Sequence, residues 1–429
     1  MIIQNYDNLA ITPQRKVVLD LIEYGLSQIQ PEEVIAKNIK LQNNILQIEE
    51  ETFDLGYYER IFIIGFGKGS ARNSKIIADT IGERLTQGYV IDTIPNQFED
   101  NPKIYYTQGT HPLPSQQNLD FTKKVVEDFS GKESEKDLIL VVVCGGGSAL
   151  FELPFKHTLE EQTSIFKAML EAGTDIKEMN IIRKHLSQVK GGGLAKILYP
   201  GTVASLIFSD VPGNDLATIA SGPTEKDPST IDEVFAILKK FNLDDKLQLT
   251  TEDFIETPTD DKYFQNTHNL FILSNLTILH AIEEKAKSQG IQVSIFSDKF
   301  QGEARESGIS LIHSNPPHHL LLAGGETTVT VRGDGKGGRN QEVVLGALEI
   351  LDDKTIIASF GTDGQDNSDF AGAIGDVNTV KKAEAKMLDI REYIDNSNSY
   401  PFFEKTEDAI ITGKLPSNVA DIIMVYNYD

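Results

Sequence analysis

Six short runs of β-branched and leucine-rich sequence each stop abruptly at a glycine-rich or polar loop, and this recurrence narrows the possible folds more than any other feature of the chain. The runs are Ile61–Ile64 into GFGKGS, Leu138–Val143 into CGGGSAL and Val203–Phe208 into SDVPGND, then Leu270–Leu273 into SN, Leu320–Ala323 into GGE and Thr355–Ser359 into FGTDG. Their apolar residues are continuous rather than alternating, the pattern of strands covered on both faces. Helical stretches often follow, so the chain is predicted to be α/β with largely parallel sheets. A first helix is predicted after Thr12, a capping residue, with Pro13 in its first turn and Val18, Leu21, Ile22, Leu26 and Ile29 along one stripe. A second opens at Pro31. Residues 231–268 are charged and poor in strand signals, which predicts a junction between two domains, residues 1–250 and 251–429. THNLFILSN, GIQVSIFSD and TTVTVRG suggest a mixed sheet in the second half. The pattern assigns the first helix to neither domain.

Composition removes several classes of function. The 429 residues carry 40 basic and 64 acidic side chains, a net charge of −24 that repels a duplex phosphate backbone, so nucleic acid is an unexpected partner. The longest apolar run, Leu138 to Cys144, is too short to span a bilayer, and the N-terminus lacks the basic-then-apolar order of a signal peptide. Cys144 is the single cysteine, which excludes an intrachain disulfide and predicts a cytoplasmic protein.

In open α/β sheets ligands bind beyond the carboxyl ends of the strands, where these loops lie. Gly65, Gly67 and Lys68 in GFGKGS, and Gly145, Gly146, Gly147 and Ser148 in CGGGSAL, are predicted to cradle phosphates through backbone amides, with Lys68 adding a full charge. Cys144 reads as a buried apolar residue. Arg183, Lys184, His185 and Lys190 form a cationic stretch unusual in so acidic a chain, and Arg183 and Lys190 are candidate anion ligands beside Ser148. His318-His319 reads as loop. Asp210, Asp215, Glu326, Asp363 and Asp366 stand near strand ends. Carboxylates of this kind suit Mg²⁺, and Asp210, Asp363 and Glu326 are the predicted metal ligands. Arg339, at an expected helix start, is suited to gripping a carboxylate or phosphate through two parallel bonds, with a structural salt bridge as the competing explanation. This combination points to phosphoryl transfer, in which positioning and charge stabilisation do most of the work. Lys68 would follow the transferred group, and Asp363 or Asp366 would serve as base. An alternative keeps the strand–GxGxG–helix unit and uses Asp92 as the ribose acid of a nicotinamide-dependent reductase. A non-catalytic sensor of phosphorylated three-carbon acids is a third.

The segments GFGKGS (65–70), THPLP (110–114), CGGGSAL (144–150), RKHLSQVKGG (183–192), SDVPGNDLATIASGPT (209–224), GGETTVTVRGDGKGGRNQE (324–342) and GTDGQD…AGA (361–373) together resemble the glycerate 2-kinase family of MOFRL type, whose members have also been named hydroxypyruvate reductases. They follow the family's order over nearly the whole chain. The resemblance implies a Rossmann-like three-layer N-terminal domain with a largely parallel sheet, a C-terminal MOFRL-type domain with a mixed sheet, and an active cleft between them. It implies ATP-dependent phosphorylation of the 2-hydroxyl of D-glycerate with Mg²⁺, by a monomer or homodimer, with Lys68 and Arg339 at the family's catalytic and substrate-binding positions. Three single positions depart from the family's pattern, Ser115 for an aspartate, Gly193 for a basic residue and Asn367 for a glycine, and TGKLPSNV (412–419) differs from the family's more glycine-rich version.

Overall fold

The computed structural model describes residues 1–98 and 100–428. It divides into two compact units, one of residues 35–209 and 214–272, the other of residues 1–34, 210–213 and 273–429.

The first unit opens with a small antiparallel sheet of β1 (Ile39–Gln42), β2 (Ile45–Ile48) and β3 (Glu51–Asp54). Its main sheet contains β4 (Arg60–Phe66), β5 (Gln87–Asp92), β6 (Ile104–Gln108), β7 (Asp137–Val143), β8 (Thr202–Phe208) and β9 (Thr267–Leu273) in the order β6-β5-β4-β7-β8-β9. β4 pairs in parallel with β5 and β7, and the β5–β6 and β7–β8 pairs are parallel too. Every residue of β7 is buried, as its unbroken apolar run requires of a central strand. The chain moves outward from β4 through β5 to β6, then returns to the other side of β4 with β7. The crevice between the carboxyl ends of β4 and β7 is therefore a topological switch point.

The second unit has a six-stranded mixed sheet of β10 (Gln292–Phe300), β11 (His319–Gly325), β12 (Thr355–Gly361), β13 (Gly372–Gly375), β14 (Ala409–Ile410) and β15 (Asp421–Asn427). Its order is β10-β11-β15-β12-β13-β14, parallel between β10 and β11 and antiparallel elsewhere. Val343, Val344, Ile357, Phe402, Phe403 and Ile423 belong to its core. All six apolar runs form strands. TTVTVRG does not: residues 327–333 are irregular apart from an isolated bridge between Glu303 and Thr328. Four of these residues, Thr327, Thr328, Val329 and Val331, instead line a cavity described below.

The expected division at 250/251 differs from the units observed. Residues 251–272 stay with the parallel sheet because they lead into its edge strand β9. The first helix, Pro13–Gln28, capped by Thr12 as predicted, belongs with the second unit. Gly25 lets it pack closely on the helix Asn275–Ser288: a Cβ there would lie 2.7 Å from Ile282 Cγ1. Arg15 ties it further, through hydrogen bonds to Asp376, Asp408 and Thr379, with the arginine and both acids buried. No helix among the described residues is long and apolar enough to cross a membrane.

Candidate active site

The loops after β4 and β7 meet at the switch point. Lys68 N–H donates to the Gly145 carbonyl (2.8 Å) and Cys144 N–H to the Phe66 carbonyl (3.0 Å). The glycines permit this crossing. Gly67 has φ 109°, and a Cβ on it would overlap the Cys144 carbonyl; a Cβ on Gly65 would overlap the Ser74 hydroxyl. Cys144 is buried, as expected, and accepts from Asn73 Nδ2.

The amides that follow Lys68 are not available to a ligand. Gly69 and Ala71 donate to the Asp92 carboxylate (2.9 and 3.0 Å), and Ser70 donates to the Gly67 carbonyl. The predicted backbone cradle at GFGKGS is thus corrected: Gly65 and Gly67 serve close packing, an internal acid caps the helix, and the loop offers the exposed side chain of Lys68. Asp92 is itself fully buried, and burial lifts its carboxyl above the usual range despite those amide bonds. It has no free edge for a ribose.

The second loop keeps its donors. Gly145, Gly146 and Ser148 are half-exposed, and their amides have no hydrogen-bond partner among the described residues. Gly147 is buried; its amide bonds the Cys144 carbonyl (3.2 Å), and a Cβ would press on Ala220. Ser148 Oγ lies 3.0 Å from Ser221 Oγ. Ala220 and Ser221 both hold left-handed backbone (φ 51° and 62°), a conformation that costs energy and is supported here from below. Gly191 and Gly192 donate to the Ser221 and Gly222 carbonyls (3.0 and 2.8 Å).

This accounts for the cationic stretch. Lys190 is fully buried in an ion pair with Glu152 and donates to the Phe151 carbonyl. Burial holds its ammonium below the ordinary lysine value, an effect Glu152 only partly offsets. Lys184 pairs with buried Asp227 (2.9 Å), and His185 lies between the Ile255 carbonyl and Ser229. Lys190 is therefore structural rather than a substrate ligand. Arg183 is half-buried over the Phe166 ring and donates to Asn180 (2.9 Å). At Gly193 a Cβ would overlap the Gln188 carbonyl, so a basic side chain has no room without moving that loop.

In the second unit β15 runs antiparallel between β11 and β12, in register so that Asp421 opposes both Gly325 and Gly361. Its first residue therefore lies where its neighbours end, beside Glu326 and Asp363. Arg339, at the start of the helix Arg339–Ala347, donates to Asp421 through Nε (2.5 Å) and Nη2 (3.1 Å) and to Glu326 through Nη1. Glu326, Arg339, Asp363, Asp366 and Thr327 line one cavity of about 1160 Å³. Asp210, half-buried beyond β8, is not among the lining residues. Asp366 is buried and caps the arginine helix, accepting from the amides of Asn340 (3.0 Å) and Gln341 (2.8 Å). That removes it as a base. Asp215 likewise closes a turn, accepting from Ala217 N–H and the Thr218 hydroxyl. Asp363 Oδ1 accepts from Gln365 N–H (3.0 Å) and is only half-buried. Asn367 has φ 53°, a left-handed geometry that asparagine tolerates better than most residues, and donates to the Gly337 carbonyl (2.9 Å). Ser115 stands at the N-cap position of the helix Gln116–Phe129 but makes no side-chain capping bond; its hydroxyl donates to Asn118 Oδ1 (2.9 Å), a bond an aspartate carboxylate could not donate.

Among the described residues no three His, Cys, Asp or Glu side chains converge as a ready-made metal cage, so Asp210, Asp363 and Glu326 are not a preformed triad. Mg²⁺ does not need one: one or two carboxylates, phosphate oxygens and water suffice, and Glu326 and Asp363 on a shared cavity fit that demand.

Two residues on these surfaces were not expected from the sequence, Asp421 and His111. Burial raises the Asp421 carboxyl to about 6, with Arg339 pulling it back only in part. The folded state then binds a proton more readily than the unfolded chain between pH of about 4 and 6, so this group's contribution to stability declines as pH rises through that window. A carboxyl-carbon NMR titration should show Asp421 changing near pH 6, and Arg339→Met should move that transition higher. A transition near pH 4 would contradict the burial described.

The comparisons with known proteins agree with this architecture. Residues 17–256 match the model of a domain of unknown function, DUF4147, and residues 319–421 match the MOFRL family. A glycerate 2-kinase of Picrophilus torridus is 34% identical over 440 residues, covering 100% of both chains. A D-glycerate 2-kinase of Thermotoga maritima is 31% identical, covering 96% of this chain and 97% of its own length. The crystal structure of a Thermotoga maritima glycerate kinase superposes with a TM-score of 0.84 at 29% identity, over 96% of this chain and 99% of that one. With these matches spanning both units, the chain belongs to the glycerate 2-kinase family.

Proposed function

We propose that the protein transfers the γ-phosphoryl group of ATP to the 2-hydroxyl of D-glycerate, giving 2-phosphoglycerate and ADP. The observation that carries this reading is the exposed Lys68 beside the amides of Gly145, Gly146 and Ser148, donors with no acceptor among the described residues. These groups hold the polyphosphate, and Lys68 offsets charge on the transferring phosphoryl oxygens. Arg339, already fixed by Asp421, turns its Nη1 edge from the half-exposed Glu326 to the glycerate carboxylate and so orients the C2 hydroxyl. Glu326 and Asp363 are the residues that would hold Mg²⁺, which when bound neutralises charge on the phosphates. Asp363, which lines the same cavity as Arg339, is the acid assigned in this reading to accept the hydroxyl proton.

The reductase alternative loses its support, because Asp92 is buried and committed to the amides of Gly69 and Ala71.

The test is an assay with ATP, Mg²⁺ and D-glycerate, the product resolved by phosphorus NMR. Phosphate on C2 is expected; phosphate on C3 would overturn the role of Arg339, and NADH oxidation with hydroxypyruvate in place of ADP formation would overturn the whole reading. Arg339→Lys keeps the charge but loses the fork. It is expected to raise KM for glycerate on the order of 10- to 100-fold, the loss of a charged hydrogen bond. An unchanged KM in steady-state kinetics would place the substrate carboxylate elsewhere.

A further inference from the structure

His111 has no partner for either ring nitrogen among the described residues, yet the backbone around it is fixed on both sides. Thr110 N–H donates to Asn118 Oδ1 (3.0 Å), and Asn118 Nδ2 donates to the carbonyls of Thr110 and Ala149 (both 2.9 Å). Gly109 N–H donates to the Asp92 carbonyl (2.8 Å), and the Thr110 hydroxyl donates to the Leu113 carbonyl (2.8 Å). Asn118 is fully buried, so this clamp is part of the core. It sets the imidazole against the second glycine loop: a Cβ on Gly146 would lie 2.7 Å from His111 Cδ2, 2.9 Å from His111 Nε2 and 3.5 Å from Lys68 Cε. The exposed His111 ring and the end of the Lys68 chain thus converge on one glycine flanked by amides that have no partner among the described residues. An anion bound there would accept from both side chains.

We infer that His111 is a phosphate ligand of the nucleotide site, donating through Nε2 to an oxygen that Lys68 also contacts. The inference rests on the kinase reading above and extends it to a residue that reading does not use. Lys68 is the charged side chain facing the ring; residues 110–114 and 145–150 contribute none. His111 is exposed at the surface, yet partial desolvation of its ring and the Lys68 charge both hold the imidazole below its ordinary value. A bound polyphosphate reverses the local charge and favours the imidazolium. Nucleotide binding and proton uptake at His111 are then linked, and binding tightens as pH falls from 8 to 6.

The test follows the histidine side chains of the full-length protein by long-range ¹H–¹⁵N NMR, with His111 assigned from the His111→Gln spectrum. Spectra are recorded with and without Mg²⁺ and a non-hydrolysable ATP analogue. The expected results are an upward shift of the His111 titration on adding the analogue and an upward shift in the free protein of Lys68→Met. Calorimetry should show His111→Ala weakening analogue binding by about 5- to 30-fold, with partial rescue by His111→Gln. The tightening toward pH 6 should be absent in both variants. A His111 titration indifferent to the analogue, or the same pH slope in His111→Gln as in the parent, would overturn the inference. If Lys68→Met weakens binding while His111 is silent, this inference alone fails. If neither residue affects binding, the phosphate site itself lies elsewhere.

Discussion

Lys68→Ala is expected to lower kcat by about 10²- to 10³-fold, the range for removing one group aimed at developing transition-state charge. Lys68 is exposed at the switch point, and no ion-pair partner holds its ammonium among the described residues. Removing it therefore leaves no buried charge stranded, and the variant should fold like the parent. Most of the loss should fall on the chemical step rather than on KM for glycerate, because Arg339 and its two carboxylates are untouched. Single-turnover measurement with saturating ATP separates the two effects. Turnover at the parent rate would show that the transferring phosphoryl group does not pass Lys68.

Arg15→Ala is expected to destabilise the second unit by about 3–5 kcal/mol, as when one partner of a buried ion pair is deleted. Arg15 is 0% exposed and forks onto Asp376 through Nε (2.8 Å) and Nη2 (2.7 Å), while Nη1 reaches Asp408 (2.6 Å). Its loss strands two buried carboxylates, of which Asp408 keeps Lys382 at 2.7 Å. Burial alone would raise the Asp376 carboxyl, but hydrogen bonds and charge from Arg15 hold it below the usual range. A carboxyl lowered on folding adds stability above its unfolded value and loses it as pH falls. The gap between parent and variant should accordingly be widest near neutrality and narrow in acid. Urea unfolding followed by circular dichroism reads this directly, and Arg15→Met with Asp376→Asn and Asp408→Asn should recover much of the loss. An unchanged midpoint for Arg15→Ala would mean that the network contributes nothing net.

Much of the architecture was legible because apolar continuity is a local signal. A strand covered on both faces must be apolar at every position, so β4, β7, β8, β11 and β12 announce themselves within a few residues of their observed limits. TTVTVRG misled for the same reason: its β-branched residues match a strand, but the chain there borders a cavity. The candidate site was legible only where position in the chain fixes position in space. Glu326 and Asp363 each follow the end of a strand and Arg339 opens a helix, and all three line one cavity. Asp421 belongs to the same cluster, yet it precedes its strand. A search of strand ends passes over it, because only the antiparallel insertion of β15 brings a strand's first residue to that edge.

From the sequence alone came the α/β class, the six apolar runs that become strands, the capped first helix and the resemblance that the comparisons support. Each depends on residues close together in the chain or on the order of motifs along it. Tertiary structure decided the partners of the charges. Lys68 and Lys190 both precede glycine, but Lys68 is exposed and Lys190 is sealed against Glu152. Asp363 and Asp366 are three residues apart, but one faces the cavity with little to hold it while the other caps a helix. The amides of GFGKGS and CGGGS look equivalent until Asp92 takes up the first set. A charge or an N–H is available for chemistry only when nothing in the fold satisfies it, and those partners are set by residues tens of positions away.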